Sequence, residues 1–322
     1  MVLGSLQSWL SKAPNYTIFR VNRLTKFDCT NLQKYLEAQS KTLNSQVIPK
    51  ITFVKPDCIV IESWPTDIAV ERSGNEVIVD SMCAAAVLRG AHVYAPGVLG
   101  LAPSCQLDEK VDIYADLDGQ CKRGLKVQYD GHKQYVGTGQ LKMLRYELFD
   151  NGIQANGIAI HTLLPASRLP VINETVCPKG QLLLQNFPSI VAGWVVDAKP
   201  YEHILDMCAA PGNKTTHLAE MSDNKAVQVL KLGGKLVYST CTVTVDENEG
   251  MVAWVLEKFP CLQLIPAEPY YGGPGLPNVG LSDEQRIMVQ RFWPEEDPLR
   301  KVQDLSKNTI GFFIAAFIKI NY

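Results

Sequence analysis

The chain has 322 residues, 46% of them hydrophobic and 20% charged, and a formal net charge of −2. A chain of this size can bury sizeable cores and is expected to form two or three domains. The near-neutral balance excludes a uniformly basic nucleic-acid coat, so a polyanionic partner would have to be met by local patches. One such patch lies at the start, where Lys12, Arg20, Arg23, Lys26, Lys34, Lys41, Lys50 and Lys55 face only Asp28 and Glu37 within residues 1–55. The nine cysteines are odd in number and contain no Cys-x-x-Cys pair, which argues against a disulfide framework or a zinc site. The opening MVLGSLQSWLSKAP lacks the apolar run of a signal peptide, and GFFIAAFI is far shorter than a bilayer-spanning helix. The expectation is a soluble, reduced, cytoplasmic protein, monomeric and without metal.

In chain order, the first segment (1–72) reads as a small α+β unit. It has a strand at 16–22, a helix from Asn31 to Ala38 carrying Leu32, Tyr35 and Leu36, and strands QVIPKIT and CIVIES. A turn at Ser73-Gly74-Asn75 closes it. From Glu76 the texture becomes small and glycine-rich, with a short helix at Ser81 to Arg89 and strands VDIYAD, GLKVQY and QYVGTG. Closely spaced strands of this kind predict a compact β-barrel. Within this block Lys122, Arg123, Lys126 and Lys133 concentrate positive charge that either meets phosphates or is an ordinary solvated hairpin.

Beyond the Pro-rich stretch 163–180, a helix is expected from Pro188 to Val196, opened by proline at its first turn. A buried strand at His203 to Met207, another at Lys235 to Ser239, and helices between and after them predict a doubly wound α/β domain. Thr244 and Glu247 have capping-box spacing for a helix through Glu257, Ser282 and Gln285 mark another helix start, and IGFFIAAFIKI reads as a long buried strand.

Two stretches could carry chemistry. ILDMCAAPGNKTTHLAE is a strand, a permissive turn and a helix whose first amides point back toward the strand end, a place where an anionic or nucleoside ligand can bind. It matches neither a Walker loop nor GxGxxG, and a plain connection is the competing reading. In VYSTCT, Cys241 stands at the carboxyl end of a strand, where open α/β sheets hold ligands. An inert core thiol is the alternative there, as it is for Cys208.

The block AVLRGAHVYAPGV with the later VGTGQ resembles a PUA domain, an RNA-binding pseudobarrel, placed at 76–165. The set LLLQNFPS, DMCAAPGNKTTHLA, GGKLVYSTCTVTVDENE, QRFWP and GFFIAAFIK resembles the NOL/NOP/Sun family of RNA cytosine-5 methyltransferases, in the member type that carries a PUA domain. The resemblance implies an α/β fold with a Rossmann-like methyltransferase domain at 182–322. It implies S-adenosyl-L-methionine as cofactor, held by Cys208, Ala209, Ala210, Pro211, Gly212, Asn213 and Lys214. RNA, with tRNA foremost, is the implied partner. Cys241 is the implied nucleophile, its thiolate adding to carbon 6 of cytosine so that carbon 5 becomes an enamine able to take a methyl group. The family also uses an Asp-Ala-Pro-Cys-Ser-Gly turn between these motifs, and this sequence contains none. Only 27 positions separate Lys214 from Cys241, so the methyltransferase domain is expected to be incomplete. At about 30 residues per βα repeat, roughly two or three repeats are missing near 222–225. Two functional expectations stay open: an RNA cytosine-5 methyltransferase with impaired turnover, or a non-catalytic RNA-binding form.

Overall fold

The computed structural model describes residues 15–69, 71–150, 155–172, 176–178, 180–199, 204, 213–221, 232–293, 305, 309 and 311–320. These residues form a mixed α/β protein with three sheets. No helix among them is long and apolar enough to cross a membrane.

The first sheet has the order β10-β1-β3-β2, built from β1 (Tyr16–Val21), β2 (Ile51–Lys55), β3 (Cys58–Glu62) and the late strand β10 (Leu182–Leu184). Pro49 lies inside the expected strand QVIPKIT and has no N–H to donate, so pairing starts only at Ile51. β2 and β3 form a hairpin with Lys55 opposite Cys58, which leaves Pro56 and Asp57 as its tip. Helix α1 (Thr30–Thr42) runs one turn past the expected end and buries Leu32 and Leu36 against Ile59 and Ile61.

The second sheet has six strands in the order β5-β9-β8-β7-β4-β6. They are β4 (Glu76–Val79), β5 (Val93–Tyr94), β6 (Val98–Leu101), β7 (Lys110–Asp116), β8 (Lys133–Leu141) and β9 (Ile158–Pro165). Its two end strands, β5 and β6, are joined by the single 3-10 turn Ala95–Gly97, so the sheet has to curl until its edges nearly meet. Helix α2 (Ser81–Leu88), capped by the Asp80 carboxylate on the Cys83 N–H at 2.7 Å, plugs one end with Ala84 and Val87. Gly97 is required there: a Cβ would stand 2.6 Å from that of Cys83. The expected strand GLKVQY does not form. Only Leu125 bridges Gly100, and the buried Arg145 holds the segment by donating to the carbonyls of Leu125 (2.9 Å) and Gly124. Val127, at 72% exposure, has no core to join.

The third sheet has the order β11-β14-β12, from β11 (Lys235–Thr240), β12 (Leu262–Ile265) and β14 (Phe312–Lys319), with β13 (Gln290–Phe292) also paired to β14. β14 runs antiparallel to both neighbours, so β11 and β12 are parallel to each other and are linked by helix α5 (Glu249–Lys258). The run FFIAAFIK divides its side chains by alternation. Phe312, Ile314 and Ala316 join one core, and Phe313, Ala315 and Phe317 join another with Val252 of α5. Burial on both faces is why this strand reads as an unbroken apolar run.

Helix α3 (Phe187–Val196) is buried on almost every side, as a helix apolar all round must be. It lies between the first and third sheets, touching Tyr16, Ile18, Cys58 and Val60 on one side and Phe312, Ile314 and Ala316 on the other. Helix α4 (Asn213–Met221) packs on α3, and the short α6 (Asp283–Arg286) begins at the expected helix start, where Ser282 and Gln285 form a capping box. The expected cap at Thr244 and Glu247 does not open α5, which starts at Glu249. Those two side chains bond each other at 2.7 Å while the chain between β11 and α5 makes a turn.

Candidate active site

Cys241 directly follows β11 and is exposed, whereas Cys58, Cys105, Cys121 and Cys177 are buried. β11 pairs only with β14 among the described residues, and every residue in it is at least partly exposed, in contrast to the buried β14. The turn after Cys241 is nonetheless well held. Thr240 Oγ1 donates to Asn248 Oδ1 at 2.6 Å, and Asn248 Nδ2 donates to the Thr242 carbonyl at 3.1 Å. Arg291 Nη2 donates to the Val243 carbonyl, and its Nη1 meets both oxygens of Glu249 at 2.8 and 2.6 Å.

Of the sequence-predicted cofactor residues, Asn213 and Lys214 are described; Cys208, Ala209, Ala210, Pro211 and Gly212, with the expected turn, lie outside the described residues. So do the rest of the expected strand around Ile204 and the segment 222–231. Asn213 is the first residue of α4 and so takes a helical conformation. The Lys214 ammonium lies 5.6 Å from the centre of the Phe312 ring, and the next residue, Phe313, is the register partner of Thr240. The two motifs therefore reach the same end of the β11–β14 pair.

Helix α4 is fixed from behind by the first sheet. Arg20, fully buried on β1, donates from Nη1 to Gln185 Oε1 (2.9 Å) and to the Asn213 carbonyl, and from Nη2 to Thr216 Oγ1 (2.9 Å) and Glu220 Oε1 (2.9 Å). Burial lowers the guanidinium pKa and raises that of the Glu220 carboxyl, with each charge partly sustaining the other. At the hairpin tip Asp57 Oδ2 accepts from Trp194 Nε1 at 2.9 Å and lies 3.2 Å from His217 Nε2. Burial alone would raise the Asp57 pKa, but those two hydrogen bonds hold it below the ordinary value.

In the second sheet's unit, Lys122 and Lys126 are exposed on the loop that replaced the expected strand. Arg123, also exposed, has its Nη1 on the carbonyls of Pro96 (2.6 Å) and Val98 (2.9 Å). Lys133 pairs with Glu76 at 2.6 Å and with the Tyr129 carbonyl at 2.8 Å. The four do not form one solvated cluster: two have structural partners. Arg20, expected within a basic surface patch, is instead fully buried and paired with Glu220, so it is not open to a polyanion. The sequence pointed to no role for Asp57, Asn248, Glu249 or Arg291. The signal available was a charged or polar residue in an apolar context, such as Arg20 between Phe19 and Val21.

Comparison with known proteins places this arrangement. The family model for the 16S rRNA methyltransferase RsmB/F matches residues 194–229 and 224–318. The tRNA (cytosine(72)-C(5))-methyltransferase NSUN6 of Mus musculus is 31% identical over 423 positions, covering 96% of this chain and 88% of the relative. The Homo sapiens protein of the same name is 30% identical, covering 98% and 91%. The crystal structure of NSun6 from Pyrococcus horikoshii with SFG superposes with a TM-score of 0.66 at 22% identity, covering 99% of this chain and 94% of that one, which shows a shared fold. The fold is thus that of an α/β methyltransferase. The chain belongs to the Sun/NOP family of RNA cytosine-5 methyltransferases.

Proposed function

We propose that this chain retains the RNA recognition and the nucleophile of a tRNA cytosine-5 methyltransferase, while its methyl transfer is impaired. The observation that carries the proposal is the state of β11. A strand whose end bears the nucleophile has, among the described residues, one paired edge and no buried side chain. Such a strand in a doubly wound sheet is ordinarily flanked on both edges and covered on both faces. Two comparisons support a missing internal segment. The alignment to the mouse relative runs over 423 positions although this chain has 322 residues, and the family model matches in two separate stretches that overlap at 224–229.

In this reading Cys241 adds through Sγ to carbon 6 of the target cytosine, and the electron pair displaced from the 5,6 double bond makes carbon 5 nucleophilic. Collapse of the adduct requires loss of the carbon 5 proton and expulsion of the thiolate. The Asp-Ala-Pro-Cys-Ser-Gly turn that supplies the family's partner groups is absent from the sequence. The curled six-stranded sheet, read as PUA-like, serves RNA binding together with the basic first segment.

S-adenosyl-L-methionine is the methyl donor this family membership implies. The described residues fit it in part. Asn213 and Lys214 open α4 and offer a helix N-terminus, but the two buried carboxylates nearest that helix are otherwise engaged, Asp57 by Trp194 and His217, and Glu220, on α4 itself, by Arg20. Neither is available to a ribose, so the nucleoside end of the group lacks these two as acidic partners.

The non-catalytic form of the proposal is favoured by that same lack. Calorimetry with S-adenosyl-L-methionine and filter binding with a tRNA transcript test both parts together. Salt-dependent RNA binding without saturable cofactor heat at about 100 μM protein is expected. Micromolar cofactor binding would overturn the impairment, and loss of RNA binding would overturn the retained recognition.

A further inference from the structure

The carboxamide of Asn248 straddles Cys241. Its Oδ1 accepts from the Thr240 hydroxyl and its Nδ2 donates to the Thr242 carbonyl, so the residues on both sides of the cysteine are tied to one side chain. That side chain is fully buried, at 0% exposure, although Cys241 itself is exposed. A carbonyl can only accept, which fixes which end of the amide faces Thr242. The site therefore asks for a neutral group with an acceptor and a donor on one short stem. Aspartate would set a carboxylate oxygen against the Thr242 carbonyl, and glutamine is a methylene too long.

The placement of Asn248 makes its use distinctive. It is the N-cap residue of α5, where an asparagine ordinarily accepts from the first helical amides, yet it makes no capping bond. Its hydrogen-bonding groups are turned to the Cys241 segment instead. The following residue, Glu249, is equally buried and accepts from Arg291 and, at 2.9 Å, from the Leu276 N–H. Arg291 in turn holds the Val243 carbonyl. Residues 240, 242 and 243 are thereby fixed by two side chains, and the one left projecting is Cys241.

We propose that Asn248 is the positioning residue of the nucleophile, holding the Thr240 hydroxyl and the Thr242 carbonyl on either side of Cys241 so that the thiol is presented in one geometry. This rests on the reading of Cys241 as nucleophile. A reacting group on an exposed turn loses effectiveness with small displacements, and a neutral double anchor restrains it without placing a charge beside the thiolate.

Hydrogen exchange on the full chain tests it, read in the peptide spanning Cys241 to Glu247 and in β14. Asn248→Ala and Thr240→Val should each speed exchange in the first peptide by about tenfold and leave β14 unchanged. Thr240→Ser keeps the hydroxyl and should return the wild-type rate. A nitroxide attached at Cys241, with Cys241→Ser as the labelling blank, should give a restricted spectrum in the wild type and Thr240→Ser and a mobile one in Thr240→Val. Should Asn248→Ala fail to fold, the two Thr240 variants carry the comparison. Unchanged exchange and spectrum in Thr240→Val would overturn the proposal, as would acceleration equal in β14 or confined to the first turn of α5. Failure of Cys241 to form an adduct with RNA would instead overturn the nucleophile reading and leave the exchange result standing.

Discussion

Arg20 on β1 and Glu220 on α4 form a buried ion pair at 2.9 Å, with side-chain exposures of 0% and 8%. Because the same guanidinium holds the Asn213 carbonyl, the first sheet fixes the helix that follows the expected cofactor turn. Removing one partner leaves the other charge buried and uncompensated. Arg20→Met is expected to cost about 3 to 5 kcal/mol in urea unfolding, and adding Glu220→Met should recover a large part of that loss. If the double variant is no more stable than the single one, the pair is not what joins the two elements.

The basic residues beside the six-stranded sheet should separate into two kinds. Lys122→Glu with Lys126→Glu is expected to weaken tRNA binding, lower the salt slope by about two and leave the melting temperature unchanged. Arg123→Glu should also lower the melting temperature, because Arg123 Nη1 then no longer serves the carbonyls of Pro96 and Val98. Filter binding over a salt series with parallel thermal melts distinguishes them. An unchanged slope in the lysine pair would remove those residues from the RNA contact.

His92 makes the six-stranded sheet acid-sensitive. Burial, with a smaller contribution from the stacked His161, lowers its pKa from 6.5 to about 4, and its Nδ1 accepts from the Thr162 N–H at 3.1 Å. Between those values the unfolded chain binds the proton and the folded chain does not, so stability is lost as pH falls from 6.5 toward 4. The loss from this group is about 2 kcal/mol at pH 5. His92→Gln should flatten the dependence of the urea midpoint on pH across that window, and an equally steep profile in the variant would assign the acid sensitivity elsewhere.

The contact of α3 with α4 is close enough to exclude even a methyl group. A Cβ on Gly193 would stand 2.2 Å from His217 Nδ1, and His217 is held in place by Asp57. Gly193→Ala is therefore expected to destabilise by about 1 to 3 kcal/mol in spite of alanine's better helix propensity. A stabilised variant would mean that the two helices can separate at no cost.

The sequence shows most clearly what repeats with a period. The alternation of β14, the all-round apolar α3 opening at a proline, and the Ser282 and Gln285 cap are each readable without a partner. The pairing of the Lys214 and Cys241 motifs is readable only through the family resemblance. What escapes are single polar residues whose partners are distant in the chain. Nothing near Arg20 points to Glu220, 200 positions away, and nothing near Asp57 points to Trp194, 137 positions away. The misplaced start of α5 has a similar cause: Thr244 and Glu247 have capping spacing, but Asn248 is tied to Thr240 and Thr242, and the helix can begin only after it. The failed strand GLKVQY had alternation but no neighbour to cover its apolar residues.

Transfer of tritiated methyl groups from S-adenosyl-L-methionine to tRNA, by this 322-residue chain beside its Cys241→Ala variant, decides whether methyl transfer is impaired. Incorporation no greater than in the variant is expected, together with RNA binding that is intact in both. Restoring the relative's intervening segment between Asp223 and Asn224 should bring Cys241-dependent incorporation. Robust turnover by the chain as it stands, abolished by Cys241→Ala, would contradict the impairment.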